Sequence, residues 1–170
     1  IYMYSNRIGI AHNGSPLNIS AEGIILEDKF GGPFIMVDNV IGNCNIGILT
    51  RDLFDSPGIE IRSNLIGIDE ANNVQSNNAA GIVIHSGEDA IIGGTSPDDR
   101  NVITGNTGIG IKLESSSFQC SIESNFIGTD ISGLGNAAFS LSNGIWVDSS
   151  TNNFIGHELA EPNIIVNTSN

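Results

Sequence analysis

One hundred and seventy residues, 39% of them hydrophobic, make a chain long enough for one sizeable core. Six Lys and Arg against nineteen Asp and Glu give a formal net charge of −13. That balance excludes nucleic acid, whose phosphates need basic neutralisation, and repels a polyanionic glycan unless Ca²⁺ bridges the two.

The chain opens IYMYSNRIGI, with no initiating Met and no basic start followed by a long apolar stretch. It is expected to be an excerpt, one segment over residues 1–170, flanked in a longer protein by further coils, caps or partner subunits. SNRIGI at 5–10 is followed by the polar stretch AHNGSPLNIS at 11–20, then AEGIIL at 21–26. DNVIGN at 38–43 and a second Gly-Ile strand at Gly47 come next. The cycle then restarts with SNLIGI at 63–68, DEANNVQSNN at 69–78 and AAGIVI at 79–84, and RNVITGN follows at 100–106. A third cycle runs SNFIGT at 124–129, DISGLGNAAFSLSN at 130–143, SNGIWV at 142–147 and EPNIIVN at 161–167. No apolar run along the way reaches membrane-spanning length, so no membrane insertion is expected.

Phrases that return in a fixed order are an internal repeat. Gly23, Gly47, Gly81, Gly108 and Gly144 divide it at spacings of 24, 34, 27 and 36 residues, so short and long turns alternate. The extra residues of long turns fall after the SNxIG phrase, where their Gly- and Asn-rich make-up marks surface loops. β-branched Ile stiffens extended backbone, and Gly and Asn tolerate left-handed corners. The pattern predicts an all-β solenoid of about six turns of 24–36 residues, with parallel stacking roughly 4.8 Å apart. Ile8, Ile41, Ile66, Ile103, Ile127, Ile155 and Ile165, with Ile92 in a copy lacking the Asn, are expected to stack inside. Asn6, Asn39, Asn64, Asn101, Asn125, Asn153 and Asn163 precede seven of them by two, and their amides are expected to bond along the axis.

NVITGN, GIGIKL and the SNFIGTD run resemble the right-handed parallel β-helix repeats of large bacterial secreted and surface proteins, the pectate-lyase-like superfamily. The resemblance covers essentially the whole chain. It implies a single-stranded right-handed parallel β-helix in an extracellular or cell-surface setting. The family spans polysaccharide lyases, epimerases, hydrolases and adhesins, so fold is implied more sharply than activity.

Acidic residues follow the Gly-Ile strands: Glu27 and Asp28, Asp52 and Asp55, Glu88 and Asp89, Glu114, and Asp148. One reading stacks them into a Ca²⁺ or glycan groove, with Asp52, Glu88 and Asp148 as oxygen ligands. Arg51 beside Asp52 then supplies a lyase-like base, and Arg51, Asp52 and Asp148 are the catalytic candidates. The other reading is a solvated edge. Asp69 and Asp130 open equivalent loops and are expected to cap them through their own backbone.

Ile25, Leu49, Val83, Gly110 and Trp146 are expected to point outward as an apolar strip, with Lys112 replacing Gly110 in the alternative register. Trp146, the one Trp, is the ligand-binding candidate, by stacking on a sugar, against packing under its own loop. Cys44, matched with Thr107, and Cys120, matched with Ile59, lie about three turns apart and are expected as separate thiols. His12, His85 and His157 show no zinc spacing, and His85 is expected at a solvated corner. Asn13, Asn18 and Asn167 begin N-x-S/T triplets, which matter only in a eukaryotic secretory setting.

Two functions follow. The first is an extracellular structural or adhesive segment that displays loops on one side and binds glycan or a protein surface, with no cofactor other than Ca²⁺. The alternative is a carbohydrate-active enzyme of lyase, epimerase or hydrolase type.

Overall fold

A computed structural model describes residues 1–27, 33–53, 58–135 and 141–166. Asp28, Asp55 and Asn167, and part of the 130–143 loop, lie outside the described residues. The first two rounds of the chain carry β1 (Tyr2–Tyr4), β2 (Arg7–Ile8), β3 (Ile24–Glu27), β4 (Phe34–Val37), β5 (Val40–Ile41) and β6 (Ile46–Arg51). The next two carry β7 (Ile59–Arg62), β8 (Leu65–Ile66), β9 (Ala80–His85), β10 (Ala90–Gly93), β11 (Val102–Ile103) and β12 (Ile109–Glu114). Then come β13 (Ser121–Glu123), β14 (Phe126–Ile127), β15 (Asn143–Val147), β16 (Phe154–Ile155) and β17 (Ile164–Ile165). The helical content among these residues is one 3₁₀ turn, Pro97–Asp99.

Every third strand joins the same sheet, and all strand pairs are parallel. The first sheet runs β1-β4-β7-β10-β13-β16, the second β2-β5-β8-β11-β14-β17, and the third β3-β6-β9-β12-β15. Like residues therefore sit over like. In the second sheet Ile8 pairs with Ile41, Ile41 with Ile66, Ile66 with Ile103, Ile103 with Ile127, and Ile127 with Ile165. In the third, Ile24, Ile48, Ile82, Ile111 and Ile145 form another inward column. These columns meet Met36, Ile61, Ile92 and Ile122 of the first sheet in one continuous apolar interior. Each fully buried Ile contributes about 1.5–3 kcal/mol of transfer free energy.

The corner between the first and second sheets explains the Asn of each repeat. Ser5, Asp38, Ser63 and Ser124 take positive φ, which turns the chain, and the next residue is the ladder Asn. Asn6 Nδ2 donates to Asn39 Oδ1 at 2.9 Å, Asn39 to Asn64 at 2.9 Å, Asn64 to Asn101 at 3.0 Å, Asn101 to Asn125 at 2.9 Å and Asn125 to Asn163 at 3.2 Å. Successive members are 33, 25, 37, 24 and 38 residues apart in sequence.

Asn153 is not in that ladder. Its Oδ1 accepts from Cys120 N at 2.9 Å, at the corner leading into the first sheet, and Ile155 pairs with Ile122 there. Ile92 belongs to the first sheet as well, between Ile61 and Ile122. Two different corners both need an amide to bridge turns, so the same Asn-x-Ile phrase serves both.

The register around GIGIKL is settled by pairing. Ile109 pairs with Ala80 and Asn143, and Ile111 with Ile82 and Ile145, so Gly110 rather than Gly108 is the counterpart of Gly81 and Gly144. Lys112, not Gly110, is the outward residue next to Val83 and Trp146. Cys44 shifts by one place too: its N–H donates to Asn77 Oδ1, whose own Nδ2 donates to Asn106, so Cys44 is level with Asn106 and not Thr107.

The three long loops follow β2, β8 and β14, and their opening turns, at Ala11, Asp69 and Asp130, share one backbone hydrogen-bond pattern. Asp69 Oδ1 accepts from Ala71 N and Asn73 N, and Asp130 Oδ1 accepts from Ser132 N and Leu134 N. Both aspartates thus cap their own loop. The loops also touch one another: Gln75 Nε2 donates to Gly14 O at 3.2 Å, and Ile131 N donates to Asn72 Oδ1 at 3.1 Å. Not all extra residues lie there, because Gly94–Arg100, with the 3₁₀ turn, enlarges the corner between β10 and β11.

Candidate functional site

Alternation along a strand sends the residues between the interior isoleucines outward. On the third sheet this makes the row Ile25, Leu49, Val83, Lys112 and Trp146. Leu49 and Val83 are nonetheless buried, packed with Ala80 and against Ile46 and Ile109 in an apolar cluster separate from the interior. A groove of about 400 Å³ lies over this cluster. Its rim carries Glu22, Arg51, His85, Lys112 and Glu114.

The charged rim is a second row, two residues further along each strand. Glu27 pairs with Arg51 and His85 with Glu114. Asp148, whose N–H donates to Leu113 O, continues the row after β15. The Arg51 guanidinium meets Glu27 Oε1 at 3.1 Å. Glu114 stands between two partners, with His85 Nδ1 at 3.2 Å and Lys112 Nζ at 2.5 Å. Burial alone would raise the Glu114 carboxyl, but hydrogen bonds and charge from Lys112 and His85 hold it below the usual range. Lys112 Nζ also lies over the Trp146 ring, 5.7 Å from its centroid. Trp146 itself is 45% exposed and pairs with Lys112, so it stands beside the groove and not in its lining.

The structure separates the other sequence candidates. Arg51 and Asp148 stand on β6 and just after β15, with β9 and β12 between them. Asp52 occupies a corner position with φ of 53°, level with Ser86, Ser115 and Ser149, which share that left-handed backbone. Asp tolerates such a corner better than most residues. Glu88 lies at the next bend, bridged to Phe118 and through it to Thr151. Among the described residues no group of three His, Cys, Asp or Glu side chains is placed to hold a metal ion.

His85, expected at a solvated corner, is instead half-buried within a strand and in contact with Glu114. His85 is the last residue of β9 and faces Glu114 across the turn, a relationship set by register and not by proximity in the chain. Cys44 and Cys120 are both free and buried, and burial pushes the Cys44 thiol up to about 11 and raises that of Cys120. Among the described residues no helix is long and apolar enough to cross a membrane. Comparison of the chain with protein-family models, with curated proteins and with solved structures finds no match.

Proposed function

We propose that this chain is a structural segment of an extracellular or cell-surface protein, a right-handed parallel β-helix of the pectate-lyase-like kind with short and long turns in alternation. It presents its loops along one side and binds glycan in the third-sheet groove. The observation that carries the reading is the concentration of Arg51, Lys112 and His85 around the Leu49–Val83 floor, in a chain with only six Lys and Arg and a net charge of −13. A sugar ring offers one apolar face and a rim of hydroxyls. The apolar floor suits the first, and Glu22, Arg51, Lys112 and Glu114 suit the second. Trp146 provides a stacking surface beside the groove.

The test is a glycan-array screen followed by calorimetry on the best ligand, with and without Ca²⁺. Binding should weaken at least about tenfold in Trp146→Ala and in Lys112→Ala, a loss of one stacking or charged contact. No glycan bound, or binding untouched by both changes, removes the groove from consideration. A protein surface in place of glycan is then the remaining partner class for the loop side.

A carbohydrate-active enzyme is the competing reading, and the His85–Glu114 contact favours it, because a paired imidazole and carboxylate is one route to proton transfer. Ultraviolet-absorbing unsaturated product, or reducing ends, that disappear in Arg51→Ala or Glu114→Gln would establish it.

A further inference from the structure

The outer face of the first sheet carries a second cleft, of about 460 Å³, with Glu60, Arg62, Ile91, Gly93, Asp99 and Glu123 among its lining residues. Alternation along β7, β10 and β13 brings these groups to one face. Gly93 pairs with Glu123, and Ile92 with Ile61, so Arg62, Gly93 and Glu123 fall in one row across three strands. The middle place has no side chain and admits none: Gly93 has φ of 87°, and a Cβ there would lie 1.9 Å from Glu123 O. A gap one strand wide therefore separates Arg62 from Glu123.

Arg62 is directed elsewhere. Its Nε lies 3.4 Å from Glu60 Oε2 and its Nη1 3.5 Å from Asp99 Oδ1. Asp99 is held in place by its capping bond, Oδ2 accepting from Ser96 N at 3.3 Å. One guanidinium is thus divided between two carboxylates, and the third is left over. Glu123 is only 7% exposed, and among the described residues its side chain has no ion pair or hydrogen bond. Most of the residue is covered, and its unpaired carboxylate faces the cleft, where a cation arriving from solvent finds a counter-charge with no competing partner in the protein.

A metal ion is poorly suited to that role. Ca²⁺ and Mg²⁺ demand several oxygen ligands around one point, and no three acidic, His or Cys side chains converge to provide them among the described residues. An organic ammonium needs one carboxylate and a surface for its carbon body, which Ile91 offers at 39% exposure. We propose that this cleft binds a primary ammonium group, with Glu123 as its counter-ion and Ile91 against the apolar face of the ligand. An amino sugar and an alkylamine share that chemistry. The site is independent of the third-sheet groove.

The experiment is calorimetry at low ionic strength with a glucosamine trimer, its fully N-acetylated counterpart and cadaverine. The wild type should bind at least one of the amines, and the acetylated trimer should bind far more weakly. Glu123→Gln should lose affinity by roughly thirtyfold or more, the usual consequence of removing one side of a buried charge pair, while its thermal midpoint stays near that of the wild type. Ile91→Lys, which supplies an internal ammonium on an outward position, should also block binding, and it decides the matter should Glu123→Gln fail to fold. Trp146→Ala should leave cadaverine binding unchanged. Binding of the trimer alone assigns an amino sugar, and binding of cadaverine alone an alkylamine. The proposal is overturned if neither amine binds, if the acetylated trimer binds equally well, or if amine affinity survives in both Glu123→Gln and Ile91→Lys.

Discussion

The carboxamide oxygen of Asn101 accepts two hydrogen bonds from Asn64, one from its backbone N–H at 3.0 Å and one from its Nδ2 at 3.0 Å. The Asn101 amide meanwhile donates back to Ile61 O and forward to Asn125. All of these groups are buried, so replacing Asn101 by Ala strands the Asn64 backbone N–H away from water and takes one donor each from Ile61 O and Asn125 Oδ1. Urea unfolding should register a loss of at least about 2 kcal/mol, since each unsatisfied buried group costs about 1–3 kcal/mol. Asn6→Ala, at the exposed end of the same ladder, should cost under about 1 kcal/mol. Equal losses at the two positions would show that the ladder is not what holds this corner.

Acid should loosen the loop flank. Burial would raise the Asp69 carboxyl, but hydrogen bonds from Asn73, Gln75 and Ala71 outweigh it and hold the group below its ordinary value. Asp69 is 2% exposed. A carboxyl depressed in the folded state contributes stability that is complete above its unfolded value, near pH 4, and is lost as pH falls through the folded value. Glu114 shifts in the same direction and adds to the effect. The thermal midpoint should hold steady from neutral pH down to about pH 5 and drop below about pH 4. Asp69→Asn should lower the midpoint at neutral pH and flatten the acid-side fall. A midpoint that rises on acidification would contradict the assignment.

Both thiols should be silent in the native protein. Cys44 Sγ is buried and donates to Gly42 O at 3.1 Å, and Cys120 is buried among the interior residues. A thiol reagent should titrate neither until denaturant is added and then both, and mass spectrometry should find no disulfide. Rapid native labelling of either residue would mean that its part of the coil opens readily.

Gly110 distinguishes the two registers directly. A Cβ there would lie 2.6 Å from Gly144 O and 2.9 Å from Ile127 Cγ2, neither of which gives way easily. Gly110→Ala should therefore destabilise by about 1–3 kcal/mol, the usual range for forcing an extra methyl into close-packed surroundings. Gly81→Ala, which meets Ile103 Cγ2 at 2.7 Å and Gly110 O at 2.8 Å, should behave alike. A neutral Gly110→Ala would argue for the other register.

What was legible in the sequence was whatever the stack makes identical from turn to turn. Ile66 beneath Ile103, Asn64 beside Asn101, and the shared capping of the loops by Asp69 and Asp130 all repeat, so letters reveal them. GIGIKL was ambiguous because two Gly-Ile dipeptides in succession fit the same slot, and only pairing with Ala80 and Asn143 chooses between them. Asn153 misled for the opposite reason, since one phrase answers the same need at two different corners. The groove and the cleft were hidden because their residues do not repeat. Glu27 and Arg51, or His85 and Glu114, meet through vertical adjacency of unlike side chains, which no periodicity announces.

The amide-to-amide bonds from Asn6 to Asn163 all run in one sense along the stack, and the Cys44–Asn77–Asn106 and Cys120–Asn153 bonds follow the same direction. Such a column is polar, like a chain of people each holding the next one's shoulder. Any coil, natural or grafted, that extends it beyond Asn163 must offer an acceptor, and any that precedes Asn6 must offer donors. Two copies brought together by identical ends would set donor against donor or acceptor against acceptor, so growth of this architecture is head-to-tail by construction.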